Sequence, residues 1–278
     1  MKIQEKFSVL MAVYAKDDPN LFRRAIESVY QNTIQPSEFV LVQDGPLSDS
    51  LMDLISSYSC SKLNFKLVTL NSNKGLAIAL NEGIKHVTSP YIMRADADDY
   101  NLPERFEKQM EILLQGFDLV GSAIIELDCF SFPVAIRSVP LGADAIRMSI
   151  KYRSPFNHMS VAFRRDFVVD CGGYPLIYLK EDYALWSKMI SEGAKVCNLK
   201  EVLVHASAGI NMYKRRGGFK YILSEIALQK FLIRLNLQSI GLGIVIGFFR
   251  SFIFLIPAQL RGIFYESFLR KSIKEYSE

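Results

Sequence analysis

Tyr91-Ile92-Met93-Arg94-Ala95-Asp96-Ala97-Asp98-Asp99 is a short, mostly apolar run that leads into three carboxylates within four positions. The run has the length and composition of a buried strand, and the acids fall at its C-terminal end. Like charges this close raise one another's pKa and repel, so the cluster is tolerable only with a cation or strong donors among it. A hard divalent metal, Mg²⁺ or Mn²⁺, is the simplest such cation, because it is held by one or two carboxylates and completes its shell with water and substrate phosphates. A solvated acidic turn is the plainer alternative, and the rest of the chain has to decide between them.

Upstream, Phe7 to Val13 (FSVLMAV) is a continuous apolar run, the pattern of a strand buried on both faces of a parallel sheet. Asp18-Pro19 then reads as an N-cap followed by proline at the first helical position, with Leu21/Phe22, Ala25/Ile26 and Val29/Tyr30 at helical spacing. A second apolar run, Phe39 to Val42, ends in the turn Gln43-Asp44-Gly45-Pro46. Ser48 to Tyr58 reads as a helix, Phe65 to Leu70 as a strand, and Asn73-Lys74-Gly75 opens a helix from Leu76 to Lys85. Four strands alternating with three helices predict an α/β fold with a doubly wound, mostly parallel sheet. Ligands of such sheets bind outside the carboxyl ends of the strands. The segments Tyr14 to Asp17, Gln43 to Pro46, Asn71 to Gly75 and Asp96 to Asp99 all fall there. No Gly-x-Gly-x-x-Gly follows the first strand and no Walker lysine motif is present, which counts against a dehydrogenase or a P-loop nucleotidase.

Composition narrows the field further. The chain has 278 residues, half of them hydrophobic, enough for a large core. Met1 to Lys6 is polar and leads straight into a strand without the apolar run of a signal peptide, so we expect residence in the cytosol. Cys60, Cys129, Cys171 and Cys197 form no CxxC pair and are expected to be buried small hydrophobes rather than zinc ligands or disulfides. The net charge of +4 hides an asymmetry: from Lys214 onward there are 11 basic and 4 acidic residues, against 22 and 25 before it. Basic residues interleaved with apolar ones favour an anionic lipid surface, and nothing resembles a nucleic-acid motif.

Taken in order, Ser8-Val9-Leu10-Met11-Ala12-Val13-Tyr14, Val42-Gln43-Asp44-Gly45, Asn73-Lys74-Gly75-Leu76-Ala77 with Asn81, Arg94 to Asp99 and Glu181-Asp182-Tyr183-Ala184-Leu185-Trp186 resemble the family 2 glycosyltransferases of GT-A fold, over residues 7 to about 200. The resemblance implies a UDP-sugar donor and a divalent metal. It assigns Asp44 to the uracil N3–H, Ala12, Val13 and Tyr14 to the base lining with Asp17 in reach, and Lys74 to the base or diphosphate with Gly75 allowing close approach. Gln43 stands where the first Asp of that turn is more usual. Asp96 would hold the ribose or a metal-bound water, Asp98 would ligate the metal directly, and Asp99 would be a capping or outer acid. Asp182 is the candidate general base, which would make the reaction inverting; its plainer role is a helix N-terminal acid. Glu181, Trp186 and His158 are candidates for substrate binding, beside the tight turn at Gly172-Gly173-Tyr174. His205 is a further metal candidate or a buried strand-end histidine. Arg215 and Arg216, before a glycine pair, offer bidentate phosphate binding or are solvated charge.

The expected organisation is a catalytic unit over 1–213, with a nucleotide-binding half (1–100) and an acceptor-side half (101–213), followed by a basic, apolar helical tail (214–278). In the tail, a helix over 217–235 precedes two apolar runs, Leu235 to Phe249 and Ser251 to Leu260, broken by Arg250 and Pro257. Neither reaches the roughly 20 residues needed to span a bilayer. Helices lying on the inner leaflet fit better, and a helical subdomain or a homodimer interface would bury the same residues. The function these readings imply is transfer of a sugar from a UDP-sugar to a lipid-linked saccharide during bacterial surface polysaccharide assembly. A nucleotidyltransferase on a related fold would need a glycine-rich, basic loop after the first strand, which Met11 to Asp17 lacks. A non-catalytic nucleotide-sugar-binding homologue would have no need of both Asp98 and Asp182.

Overall fold

The computed structural model describes residues 5–61, 64–128, 131–207 and 218–255. Strands β1 (Phe7–Val13), β2 (Glu38–Asp44), β3 (Phe65–Leu70) and β4 (Tyr91–Arg94) lie in the order β3-β2-β1-β4, all parallel. Their crossovers are helices α1 (Pro19–Tyr30), α2 (Asp49–Ser61) and α3 (Leu76–His86). Asp18 caps α1 as expected, its carboxylate accepting the N–H groups of Asn20 (2.8 Å) and Leu21 (3.1 Å).

The continuous apolar character of β1 follows from its place. Val9, Met11 and Val13 face a core shared with Phe22, Ile26, Leu51 and Ile55, while Leu10 faces the opposite core with Leu80 and Ile84. Helix α3 can lie this close to the sheet because Gly83 has no side chain; a β-carbon there would overlap Leu10 Cδ1 and Val42 Cγ2.

The second half extends the sheet through β8 (Ala162–Arg164), antiparallel to β4 and to β6 (Leu119–Leu127). Beyond β6 lies β9 (Val196–Ser207), parallel to it, and then the two-residue β5 (Tyr100–Asn101); β7 (Pro133–Arg137) pairs with β6. Helices α4 (Arg105–Leu113), α5 (Ala143–Ser149), α6 (Arg165–Asp170) and α7 (Glu181–Ser191) complete this half. The sheet therefore begins as the expected parallel block and becomes mixed beyond β4.

Two tail helices follow, α8 (Phe219–Arg234) and α9 (Ile240–Leu255). The apolar run expected to break at Arg250 is instead one helix through it. Arg250 turns inward, its Nη1 2.9 Å from Glu225 Oε1 and its Nη2 donating to the Tyr152 carbonyl. No helix among the described residues is long and apolar enough to cross a membrane. Cys60 is exposed and Cys171 and Cys197 are half-buried, so the expectation of burial fails for Cys60, which sits on the outer side of α2. Pro257, Arg215, Arg216 and Cys129 lie outside the described residues.

Candidate active site

The chain winds outward from β1 through β2 to β3, then crosses back to place β4 on the other side of β1. The crevice of a doubly wound sheet opens where the direction of winding reverses, here between the segments after β1 and β4. The β1 segment closes on itself: Asp17 Oδ2 accepts the Tyr14 N–H at 2.9 Å, and the Asp17 N–H donates to the Tyr14 carbonyl at 3.1 Å. Val13, expected to line a base, points into the core at 1 % exposure; Ala12 and Tyr14 are half-buried at the strand end. Asp44 ends β2 with both oxygens engaged, accepting from Lys74 N–H (2.6 Å) and Gly75 N–H (2.9 Å). The carboxylate from β2 thus fixes the start of α3, whose own N-cap, Gly75, has no side chain to do so. Lys74 is exposed on this loop.

After β4, one carboxylate oxygen from each of Asp96, Asp98 and Asp99 lies within 4.8 Å of the others. Asp99, read from sequence as an outer acid, is a full member of the group. Its Oδ1 accepts the Ser207 N–H at 2.8 Å from the end of β9, whereas its buried Oδ2 has no hydrogen-bond partner. Burial, then the charges of Asp98 and Asp96, push the Asp99 carboxyl well above its ordinary range. Asp96 is partly compensated by an ion pair with Arg94 Nη1. Arg94 is buried, and beneath it Arg105, also buried, donates to the carbonyls of Arg94 (2.6 Å) and Val161 (3.2 Å). An all-oxygen donor set with an orphaned buried carboxylate oxygen fits a hard divalent cation. His205 does not join it: β9 pairs it with Tyr100, against whose ring it packs at 6.2 Å.

His158 and Trp186, expected from sequence to bind substrate, gather around Tyr174. The Tyr174 backbone is clamped by Asn81 of α3, whose Oδ1 accepts its N–H (2.7 Å) and whose Nδ2 donates to its carbonyl (2.9 Å). Gly173, at φ 75, permits the approach, since a β-carbon would overlap Asn81 Oδ1. The Tyr174 hydroxyl lies 3.1 Å from His158 Nε2. Burial raises its pKa far above the ordinary value; Arg94 opposes this, while Asp182, Glu181 and Asp96 add to it. One side chain therefore senses the acids of both β4 and α7. His158 is held neutral, its pKa lowered well below the ordinary value by burial and by Arg94.

Trp186, expected to touch substrate, is fully buried among Phe156, His158, Phe163 and Tyr174. It forms the floor beneath the site, because α7 is buried on nearly all sides beyond its first turn. That first turn carries Glu181, 8 % exposed, and Asp182, half-exposed. Burial, with Asp182 adding, pushes the Glu181 carboxyl up to about 7. A folded pKa raised above the unfolded 4.5 means that stability is complete below 4.5 and is lost as pH rises through 7. Glu181→Gln should therefore raise stability by roughly 2–3 kcal/mol at pH 8 and leave it unchanged near pH 4, as read by denaturant titration with EDTA present. Equal stability of the two proteins at pH 8 would contradict the buried charge.

Arg94, Arg105, Asn81 and Tyr174 carry no site role that the sequence alone assigns. For Arg94 a signal is nonetheless present, a cation ending an otherwise apolar strand of four residues.

An α/β sheet with three carboxylates grouped at its switch point suits a ligand that carries phosphate and a divalent cation, and known proteins agree. The family described as glycosyl transferase family 2 matches residues 8–173. A UDP-Gal:alpha-D-GlcNAc-diphosphoundecaprenol beta-1,3-galactosyltransferase from Escherichia coli is 38% identical, over 96% of this chain and 97% of its own. The amylovoran biosynthesis glycosyltransferase AmsE from Erwinia amylovora is 36% identical, over 94% and 98%. A mannosyltransferase from Pyrobaculum calidifontis, solved with GDP-Man and Mn²⁺, shares the fold at a TM-score of 0.63 and 15% identity, covering 99% of this chain and 79% of its own. The chain belongs to glycosyl transferase family 2.

Proposed function

We propose that this glycosyltransferase moves a sugar from a UDP-sugar, with inversion, onto a lipid-linked saccharide in bacterial surface polysaccharide assembly, working on the inner face of the cell membrane. The observation that carries the donor side is the group of three carboxylates within 4.8 Å at the sheet's switch point, one oxygen of it buried and unpartnered. Asp96, Asp98 and Asp99 would hold Mn²⁺ or Mg²⁺, which supplies Lewis-acid neutralisation of the leaving diphosphate. Asp182 takes the proton of the acceptor hydroxyl as its oxygen bonds to the anomeric carbon. The bond from that carbon to the diphosphate oxygen breaks, and UDP leaves with the electron pair. Attack opposite the leaving group inverts the centre; the β-1,3 linkage named for the Escherichia coli relative is what inversion of an α-linked UDP-sugar produces. Its named acceptor supports a diphosphate-lipid acceptor here. The division at 213/214 into catalytic unit and tail belongs to the same reading.

Purified protein should release UDP from one member of a UDP-sugar panel when GlcNAc-diphosphoundecaprenol and Mn²⁺ are both present, and the product should be β-linked by NMR. An α-linked product would overturn inversion, and transfer undiminished in EDTA would overturn the metal.

The tail supports the membrane side. Ile240, Ile244, Val245, Phe248, Phe249 and Phe252 recur at helical spacing on α9, each more than half exposed, while Gly243, Gly247, Arg250 and Phe254 turn toward α8, Lys180 and Tyr152. An apolar face along one side of the described helix, with Arg250 turned inward on the other, suits a helix lying in the interface. The excess of basic residues from Lys214 onward suits anionic headgroups. Replacing Phe248, Phe249 and Phe252 together by serine should abolish co-sedimentation with vesicles containing phosphatidylglycerol. Unchanged pelleting would sink the membrane role, and a switch from dimer to monomer in solution would make the face a homodimer interface instead.

A further inference from the structure

The helix that presents Glu181 and Asp182 starts at a residue, Lys180, whose side chain does not cap it. Leu179 before it sits at φ 53, a left-handed conformation that costs a non-glycine residue about 1–2 kcal/mol. The start is also held from the tail. Lys180 Nζ lies 2.9 Å from Glu225 Oε2 of α8 and stands over the rings of Tyr221 (4.5 Å) and Phe254 (5.4 Å).

Glu225 is fully buried and also takes Arg250 Nη1 at 2.9 Å and Gln229 Nε2 at 2.6 Å. Burial alone would raise its carboxyl, but Lys180 and Arg250 outweigh it, and the group is held below its ordinary range. Apolar side chains of similar volume usually join helices at least as stably as a buried ionic cluster does. What the cluster adds is a fixed direction: the charge of Lys180 can be satisfied in one place, and its backbone carbonyl closes the first turn of α7 on the Ala184 N–H at 2.9 Å.

We infer that Glu225 is a positioning residue for the transfer reaction, acting through Lys180 to fix the first turn of α7 and so aim the Asp182 carboxylate at the acceptor hydroxyl. The inference rests on Asp182 being the base. Among the described residues Glu225 pairs with Lys180, Arg250 and Gln229 and with none of the donor side, so its loss should fall on kcat and not on donor binding.

The test uses the full chain with Mn²⁺, GlcNAc-diphosphoundecaprenol and the UDP-sugar that the donor panel selects. Glu225→Gln keeps the shape but leaves Lys180 uncompensated. Lys180→Met cuts the same link while keeping an apolar stem over Tyr221 and Phe254. Each should lower kcat about 10- to 100-fold with the donor KM within twofold of wild type, and Glu225→Asp should recover part of the loss. In an Asp182→Asn background, Glu225→Gln should cause no further loss, since it acts through the base; a purely structural role would lower activity again. Wild-type kcat in Glu225→Gln and Lys180→Met, with Asp182→Asn inactive, overturns the positioning role and leaves the base in place. An active Asp182→Asn overturns the base assignment and this inference with it. Should Glu225→Gln fail to fold, Lys180→Met decides on the same criterion.

Discussion

Asp182→Asn should lower kcat by about 10²–10⁴-fold, the range a positioned general base supplies, while UDP affinity in the presence of Mn²⁺ stays within twofold. The amide preserves the size of the side chain and its place in the first turn of α7 but cannot take a proton. Glu181 is the competitor for the role, since its carboxyl is pushed up to about 7, close to where a base works best. Accessibility separates the two. Glu181 is 8 % exposed and its charge is disfavoured by burial, whereas Asp182, on the same turn, keeps part of its surface in solvent. Glu181→Gln should therefore keep at least about a tenth of the wild-type rate. Rapid transfer by Asp182→Asn together with an inactive Glu181→Gln would exchange the roles of the two acids.

The half of the site built from local pattern was legible in the sequence. Apolar runs at Phe7–Val13 and Tyr91–Arg94 mark strands buried on both faces, and the winding order then comes from alternation with helices. Burial on both faces has a less visible effect at Val13: it turns this side chain away from the site just as it places the strand. Trp186 misled for the same reason, because a helix buried nearly all round directs a large aromatic residue four positions after Asp182 into the core. The pairing of β9 with β6 and β5 is long-range, and it decides that Ser207, not His205, reaches Asp99. Lys180, just before α7, and Glu225, in α8, share no motif, and their ion pair becomes visible only once α8 packs beside α7.

Asp98→Asn should act in opposite directions on stability and on donor binding. Three carboxylates in one group repel one another, and Arg94 ion-pairs with Asp96. Removing one charge should leave the metal-free protein as stable as wild type or more so. The same change replaces an anionic carboxylate of the set that fits a divalent ion by a neutral amide, so most of the gain in stability from Mn²⁺ and UDP together should be lost. For wild type that gain is about 2.7 kcal/mol when ligand is present at 100 times its Kd, several degrees in Tm for a protein of this size. Thermal unfolding in EDTA and in Mn²⁺ with UDP reads both effects on one pair of samples. A solvated acidic turn would give neither: wild type would show no Mn²⁺-dependent shift with UDP, and Asp98→Asn would transfer sugar normally. An Asp98→Asn protein that keeps the full shift would move the metal from these carboxylates. The Arg94–Asp96 pair sharpens the expectation, because Asp96 already has a cation beside it while Asp99 Oδ2 has no hydrogen-bond partner. Asp99→Asn should therefore lose as much metal-dependent stabilisation as Asp98→Asn, and Asp96→Asn less.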